Sequence, residues 1–256
     1  MGGNRGQPAG RRATGRRRER RWVGLSLIIA AVLVAIAIIH GGDHGLFQQL
    51  SLPISSLKRE PVPDARADKL PISGPGTFIY ERTTGPVLGG GGPLKRFHLA
   101  VESNLGAEMG EFSRVTDATL ADPHGWASEK NQRFQRVPDQ ALSDFTIALV
   151  TRETAFRLCA KVGLDIRQGD IPYTSCQANG WVVINLDRWR LSIPDYVHSG
   201  APLLTYQQYV INHEVGHQLG HVHEPCPGEG QPAPVMQQQT LGLDGCLPNP
   251  WPHPTP

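Results

Sequence analysis

The sequence predicts an α/β (α+β) domain, a twisted mixed sheet backed by helices, behind one N-terminal transmembrane helix. Three observations lead there. β-Branched runs alternate with segments of helical period between residues 76 and 219. One uncharged apolar run stands near the N-terminus. A long helix near the C-terminus carries histidines at ligand spacing, and an irregular segment with two cysteines follows it.

In chain order, 256 residues give room for one ordinary domain with extensions, and 39% hydrophobic content supplies a core but not a membrane bundle. Residues 1–21 are rich in Gly and Arg, have nothing to bury and read as a basic, disordered cytoplasmic tail. Residues 22–39 (WVGLSLIIAAVLVAIAII) carry no charge. As a helix they would be about 27 Å long, close to the thickness of a hydrocarbon core. The arginines before this run keep the N-terminus inside, so the rest of the chain lies outside a single-pass cell-membrane signal anchor. A cleaved signal peptide, cut after Ala35-Ile36-Ala37, is the rival reading. Ile38 and Ile39 continue the apolar run and favour the anchor. Eight Arg and one Glu in residues 1–40 leave 17 basic against 22 acidic residues beyond, so nothing in the outer part points to nucleic acid. Residues 40–75, with Gly41-Gly42, Pro53, Pro61, Pro63 and Pro71, read as a flexible linker.

The domain, residues 76–256, opens with strands at Thr77–Tyr80 and Phe97–Val101, joined by a mobile hairpin loop that holds Gly89–Gly92. No Lys-Ser/Thr follows those glycines, which argues against a phosphate loop. Met109, Phe112, Val115 and Ala118-Thr119 keep a helical period, stopped by Asp122-Pro123-His124-Gly125. Arg133–Val137 reads as a short strand, Phe145–Val150 as a better one, Glu153–Lys161 as a short helix and Trp181–Leu186 as the last strand. Thr205–Leu219 is the longest helix. Thr205 and Gln208 have the form of a capping box, and Gly220 ends it.

That helix carries His213-Glu214-Val215-Gly216-His217. At about 100° per residue, His213 and His217 share a face one turn apart, as two imidazoles binding one zinc ion must. Glu214 projects beside them, where a carboxylate can hold and deprotonate a water. Gly220 lets the chain turn back with a third ligand. On an unbroken helix His221 would lie ~12 Å from His213, too far to share an ion whose bonds are near 2 Å. His223, three residues past Gly220, is therefore favoured, and His221 reads as a supporting or surface imidazole. Three protein ligands leave one position for water, the pattern of a catalytic site with one Zn2+ per chain. The full spacing arises by chance in roughly one chain in 10⁵.

Cys159, Cys176, Cys226 and Cys246 suit an exported domain and allow three pairings. Proximity favours Cys159–Cys176 and Cys226–Cys246, but sequence alone does not choose. Taken together, His213-Glu214-x-x-His217-x-x-Gly220-x-x-His223 resembles the signature of the metzincin zinc metallopeptidases. In that family a Met-containing turn lies beneath the metal, which the resemblance assigns here to Pro234-Val235-Met236. The stretches at 212–217, 226–228, 233–238 and 249–252 look like an actinobacterial family of exported proteins, read as metallopeptidases and catalogued as a domain of unknown function. This resemblance spans roughly residues 76–253. It implies a metzincin-like fold with an active-site helix, and it supplies no substrate. A Cys226–Cys246 bridge would staple the loop of the third ligand to the Met236 turn, making the C-terminal segment irregular but disulfide-stapled.

The activity expected is hydrolysis of peptide bonds, with Glu214 as general base. Tyr173, Tyr196, Tyr206 and Tyr209 are candidate oxyanion donors. Tyr206 and Tyr209 precede His213 on its own helix and are expected to face the sheet. Expected partners are a peptide or protein substrate, added as a strand if Trp181–Leu186 is the sheet edge, and the membrane through residues 22–39. Two other readings stay open: a zinc amidase or peptidase acting on cell-wall peptides, and a non-catalytic cell-surface interaction module with a structural zinc.

Overall fold

A computed structural model describes residues 69–129 and 132–253. The tail, the anchor at 22–39 and residues 40–68 of the linker lie outside the described residues. Among the described residues no helix is long and apolar enough to cross a membrane.

The strands are β1 (Phe78–Tyr80), β2 (Val87–Leu88), β3 (Leu94–Glu102), β4 (Arg133–Arg136), β5 (Phe145–Val150), β6 (Arg167–Gln168), β7 (Ile171–Pro172), β8 (Cys176–Ala178) and β9 (Trp181–Asn185). Seven of them form one sheet in the order β2-β4-β3-β5-β9-β8, with β1 also on β3, while β6 and β7 make a separate ribbon. β4, β3, β5 and β9 are parallel, whereas β1, β2 and β8 join antiparallel. The sheet is therefore mixed, as expected. Parallel neighbours need a crossover. α1 (Met109–Ala121) supplies it between β3 and β4, and α2 (Arg152–Ala160) lies in the connection from β5 to β9.

Alternation along the strands divides the core. Phe97, Leu99 and Val101 of β3, Ile147 and Leu149 of β5, and Val182 and Ile184 of β9 face one side. There they meet α1, α3 (Leu186–Leu191), α4 (Pro194–His198) and α5 (Leu203–Gln218), which contribute Phe112, Trp189, Tyr196 and Ile211. The opposite face carries Ala100, Ala148 and Val183, whose small side chains suit the close approach of Ala155 and Cys159 on α2. β5 is buried at every residue because helices cover both its faces, so its sequence is a continuous apolar run. A Cys159–Cys176 disulfide ties α2 to β8, and a second joins Cys226 to Cys246; these are the pairings that proximity favours.

Some expectations need correction. The loop that holds Gly89–Gly92 is not simply a hairpin turn: it carries β2, which pairs with β4. β1 and β3 still pair antiparallel across it. The Thr205 capping box does not form. Pro202 is the N-cap of α5, and no side chain caps that end. β6, β7, β8, α3 and α4 are too short to show a period in the sequence. The domain's contacts also reach back before residue 76. Leu70 packs on the core, Ile72 accepts from the Glu153 amide, and buried Glu102 draws donors from Gly76, Thr151 and Thr154. A buried carboxylate needs such donors, and the Gly76 amide is one of them.

Candidate metal centre

α5 runs between the sheet and the C-terminal segment, so it is buried from Tyr206 to Gly216 apart from Gln208 and shows little amphipathic pattern. It ends in a Schellman arrangement: the Gly220 amide donates to the His217 carbonyl and the His221 amide to the Gly216 carbonyl, both at 3.0 Å. Gly220 has φ +97°, which explains why glycine stands there. From this stop the chain turns back and brings His223 over the helix.

His213, His217 and His223 each offer a ligand atom, and these atoms lie within 4.8 Å of one another. The Nε2 atoms of His217 and His223 are 3.0 Å apart. Two ligands on one tetrahedral zinc, each at about 2.05 Å, would stand ~3.3 Å apart. The spacing fits a metal ion with only small adjustment. Backbone carbonyls fix two of the rings. His213 Nδ1 is 2.8 Å from the Val235 oxygen and His217 Nδ1 is 2.9 Å from the His221 oxygen. A carbonyl can only accept, so Nδ1 carries the proton in both and Nε2 is left as the donor to a metal. Burial, reinforced by the neighbouring imidazoles, lowers the His213 pKa to about 3, so the ring is neutral at pH 7, as a ligand must be. Burial and then His217 push His223 downward as well.

His221 stands apart from the three converging rings. Its ring stacks on Trp126 at 4.3 Å and its carbonyl orients His217, so it supports the cluster without joining it.

Met236 lies in a turn packed against the helix that carries His213 and His217. The Gln237 amide closes a turn onto Pro234, and the Met236 side chain is 1% exposed. Its sulfur packs directly on Gly216, which lies between His213 and His217 in sequence. A Cβ at 216 would collide with that sulfur and stand 2.9 Å from Trp126 Cζ2. Glycine at 216 is thus a requirement of the floor. The Glu224 amide donates to the Met236 carbonyl, which joins the third-ligand loop to the same turn, and the Cys226–Cys246 bridge closes the segment.

Glu214 is 4% exposed, and its Oε2 is buried without a hydrogen-bond partner. Burial lifts its pKa to about 8. It lines a cleft of about 350 Å³ together with the three histidines, Leu164, Ile166, residues 174–177, Tyr209, Thr240 and Leu241. An unpartnered carboxylate oxygen beside three converging imidazoles suits a site that receives a metal and a water.

Two expectations about the surroundings change. Tyr206 and Tyr209 do not spend their hydroxyls on the sheet. Tyr206 bonds Thr240, Tyr209 donates to the Gln237 carbonyl, and Tyr196 donates to Gln239, so these three hydroxyls already have partners in the C-terminal segment. Tyr173 lies under the Arg188 guanidinium and does not line the cleft. The sheet edge beside the cleft is β8, not Trp181–Asn185, because β8 covers β9. Trp126, Asn249 and Gln239 were not legible as site residues. Trp126 donates to the Asn212 carbonyl, the Gln239 amide donates to the Pro234 and Asn249 carbonyls and accepts from the Asn249 backbone N–H, and the Asn249 side chain donates to the Ala233 carbonyl. These are contacts between distant segments, and no local pattern announces them.

Fold and site together define an α/β domain that presents a three-histidine cluster suited to a metal ion, with a buried glutamate beside it. The chain belongs to the family described as Protein of unknown function (DUF3152), whose model matches residues 66–254. No curated protein and no solved structure matches it.

Proposed function

We propose that the domain is a zinc-dependent peptidase in which His213, His217 and His223 hold one zinc ion and Glu214 is the general base. What carries this reading is the convergence of three ligand atoms on a cleft that also contains the unpartnered Glu214 Oε2. A structural zinc usually has four protein ligands and no use for such a carboxylate. Zinc bound there would supply Lewis acidity, lowering the pKa of a water and polarising an amide carbonyl.

The rest falls to the chain. Glu214 accepts the proton of the attacking water and returns it to the amide nitrogen as the C–N bond breaks. The positive charge of a zinc ion held by the three histidines would oppose the upward push of burial on Glu214 and favour the ionised carboxylate that a base must be. The Val235 and His221 carbonyls hold the two helix histidines in the required tautomer. The outer edge of β8 offers backbone groups to an extended peptide lying along the cleft. The two disulfides support an exported location, consistent with an anchor at residues 22–39.

Metal content of the purified full chain tests the ligand set. We expect about one zinc per chain in the wild type, loss in His223→Ala and retention in His221→Ala, since the alanine keeps the 221 carbonyl. Equal loss from both variants, or loss only from His221→Ala, overturns the assignment. Glu214→Gln should keep the zinc and lose peptide hydrolysis by about 10²–10⁴-fold. If the zinc-loaded wild type cleaves neither a peptide library nor purified cell-wall peptides, the interaction-module reading replaces this one. Cleavage of cell-wall peptides alone narrows the substrate to that class.

A further inference from the structure

The metal cluster is flanked by a second hollow, of about 340 Å³, lined by His223, Glu224, Pro225, Gln237, Gln238, Leu241, Gly242 and Asp244. It shares His223, Gln238 and Leu241 with the cleft along β8, so the two cavities meet at the third histidine. Their chemistry differs. The first is lined mainly by neutral and apolar residues, and its one exposed carboxylate, Asp165, is already paired with Arg167 at 2.8 Å. The second contains Glu224 and Asp244 and no Lys or Arg, and among the described residues neither carboxylate forms an ion pair.

A separate observation gives this hollow a preference. Gln237 is 3% exposed, and its Nε2 donates to the carbonyls of Gly242 and Leu243, which fixes the orientation of the amide. Its Oε1 is thereby left as an acceptor, buried and without a partner. Such an atom is costly unless something donates to it. Gln237 itself lines the hollow, and a Cβ at Gly242, whose carbonyl the amide bonds, would stand 3.7 Å from Asp244 Oδ1, so that carboxylate lies close to the same stretch of backbone. The Glu224 and Asp244 carboxylates and the Gln237 oxygen are acceptors that suit a cationic donor.

We infer that this hollow receives a lysine or arginine side chain of the substrate, on the side of the metal away from β8. The inference rests on the peptidase reading for the identity of its occupant. The ammonium or guanidinium group meets Glu224 and Asp244 and supplies the missing donor towards Gln237. The preferred substrate is then a peptide with a neutral or apolar residue over the β8 side of the cleft and a basic residue across the metal.

Two measurements on the full, zinc-loaded chain test this. The first is binding to Glu214→Gln, read by fluorescence anisotropy with three labelled alanine-rich hexapeptides that differ in one central residue: lysine, norleucine or glutamate. Lysine should bind about 3- to 10-fold more tightly than norleucine, and glutamate more weakly than either, as expected for a partly exposed ion pair. Adding Asp244→Asn or Glu224→Gln should shrink the lysine-to-norleucine ratio, and Asp244→Lys should invert the lysine-to-glutamate preference. Equal affinities for the three peptides, or a ratio unmoved by Asp244→Lys, overturns the inference whether or not the protein hydrolyses anything. The second is a library digest by the wild type, in which Lys and Arg should be enriched on one side of the cleaved bond. Cleavage without that enrichment overturns the inference and leaves the peptidase reading standing. Absence of all cleavage, with lysine-selective binding intact, overturns the peptidase reading and leaves the cation site standing.

Discussion

The sheet and the C-terminal segment are held together by different means. In the sheet, β3, β5 and β9 share continuous parallel ladders, and their side chains form apolar layers built from many similar contacts. The described segment after Gly220 has no named strand or helix and one isolated bridge, between Pro232 and Leu247. Its order comes from individual side chains. Gln237, Gln239 and Asn249 bond backbone carbonyls, Tyr196, Tyr206 and Tyr209 donate or share hydroxyls, and one disulfide closes the loop. The scaffold is redundant and the site is not. That difference follows from the geometry, because bringing His223 over His213 and His217 takes chain that has left the helix.

The two disulfides give the largest contrast. They close loops of similar sequence separation, 17 and 20 residues, so removing either pair as a double alanine variant should cost about 3 kcal/mol of stability. Their effects on zinc affinity should diverge. Loss of Cys226–Cys246 frees the loop of His223 and should weaken zinc severalfold, while loss of Cys159–Cys176 should leave the dissociation constant nearly unchanged. Thermal melts and zinc competition titrations read the two quantities, and equal weakening by both variants would break the distinction.

Asn249→Ala sharpens it further. The side chain donates to the Ala233 and Trp251 carbonyls and accepts from the Trp251 amide, and the residue is 5% exposed. Its removal leaves buried carbonyls without donors and should cost about 2–3 kcal/mol in chemical denaturation. Ile147→Val, in the middle of β5, should cost about 1 kcal/mol and leave zinc binding alone.

Gly216→Ala tests the floor. The added methyl would strike Met236 and crowd Trp126, so the helix or the turn must shift, at roughly 1–3 kcal/mol. Zinc should dissociate faster from this variant, because His213 and His217 lie on either side of the displaced residue.

The smallest effect per step is electrostatic and belongs to the metal-free protein. Glu214 rises from 4.5 to about 8 on folding, so its contribution to stability is full below pH 4.5 and is lost as pH climbs to about 8. Metal-free Glu214→Gln should therefore gain on the wild type across that window by at most ~1.4 kcal/mol per pH unit, and run parallel to it outside. His213 works in the other direction, since its fall from 6.5 to about 3 removes stability as the solution is acidified through that range. Denaturation midpoints of both proteins from pH 4 to 9 in a chelator check the first window, and a flat difference would sink it.

What could be read directly from the chain was whatever depends on neighbours in sequence. Helical spacing sets His213 and His217 one turn apart, Gly220 stops the helix, and the apolar runs of β5 and β9 mark themselves as buried strands. The choice of His223 over His221 also follows locally, from the rise of a helix against the length of a metal bond. Tertiary structure decided the rest. β8 is only three residues long and takes the sheet edge because β9 needs a partner on that side, which no period reveals. The donor to the Val235 carbonyl, the meeting of Met236 with Gly216 and the amide of Gln237 turned towards Gly242 and Leu243 join segments far apart in sequence. Periodicity reports which face of an element is buried, but not which distant residue will meet it there. For that reason the histidine motif was evident in the sequence, while the floor beneath it and the acidic hollow beside it emerged only in the folded chain.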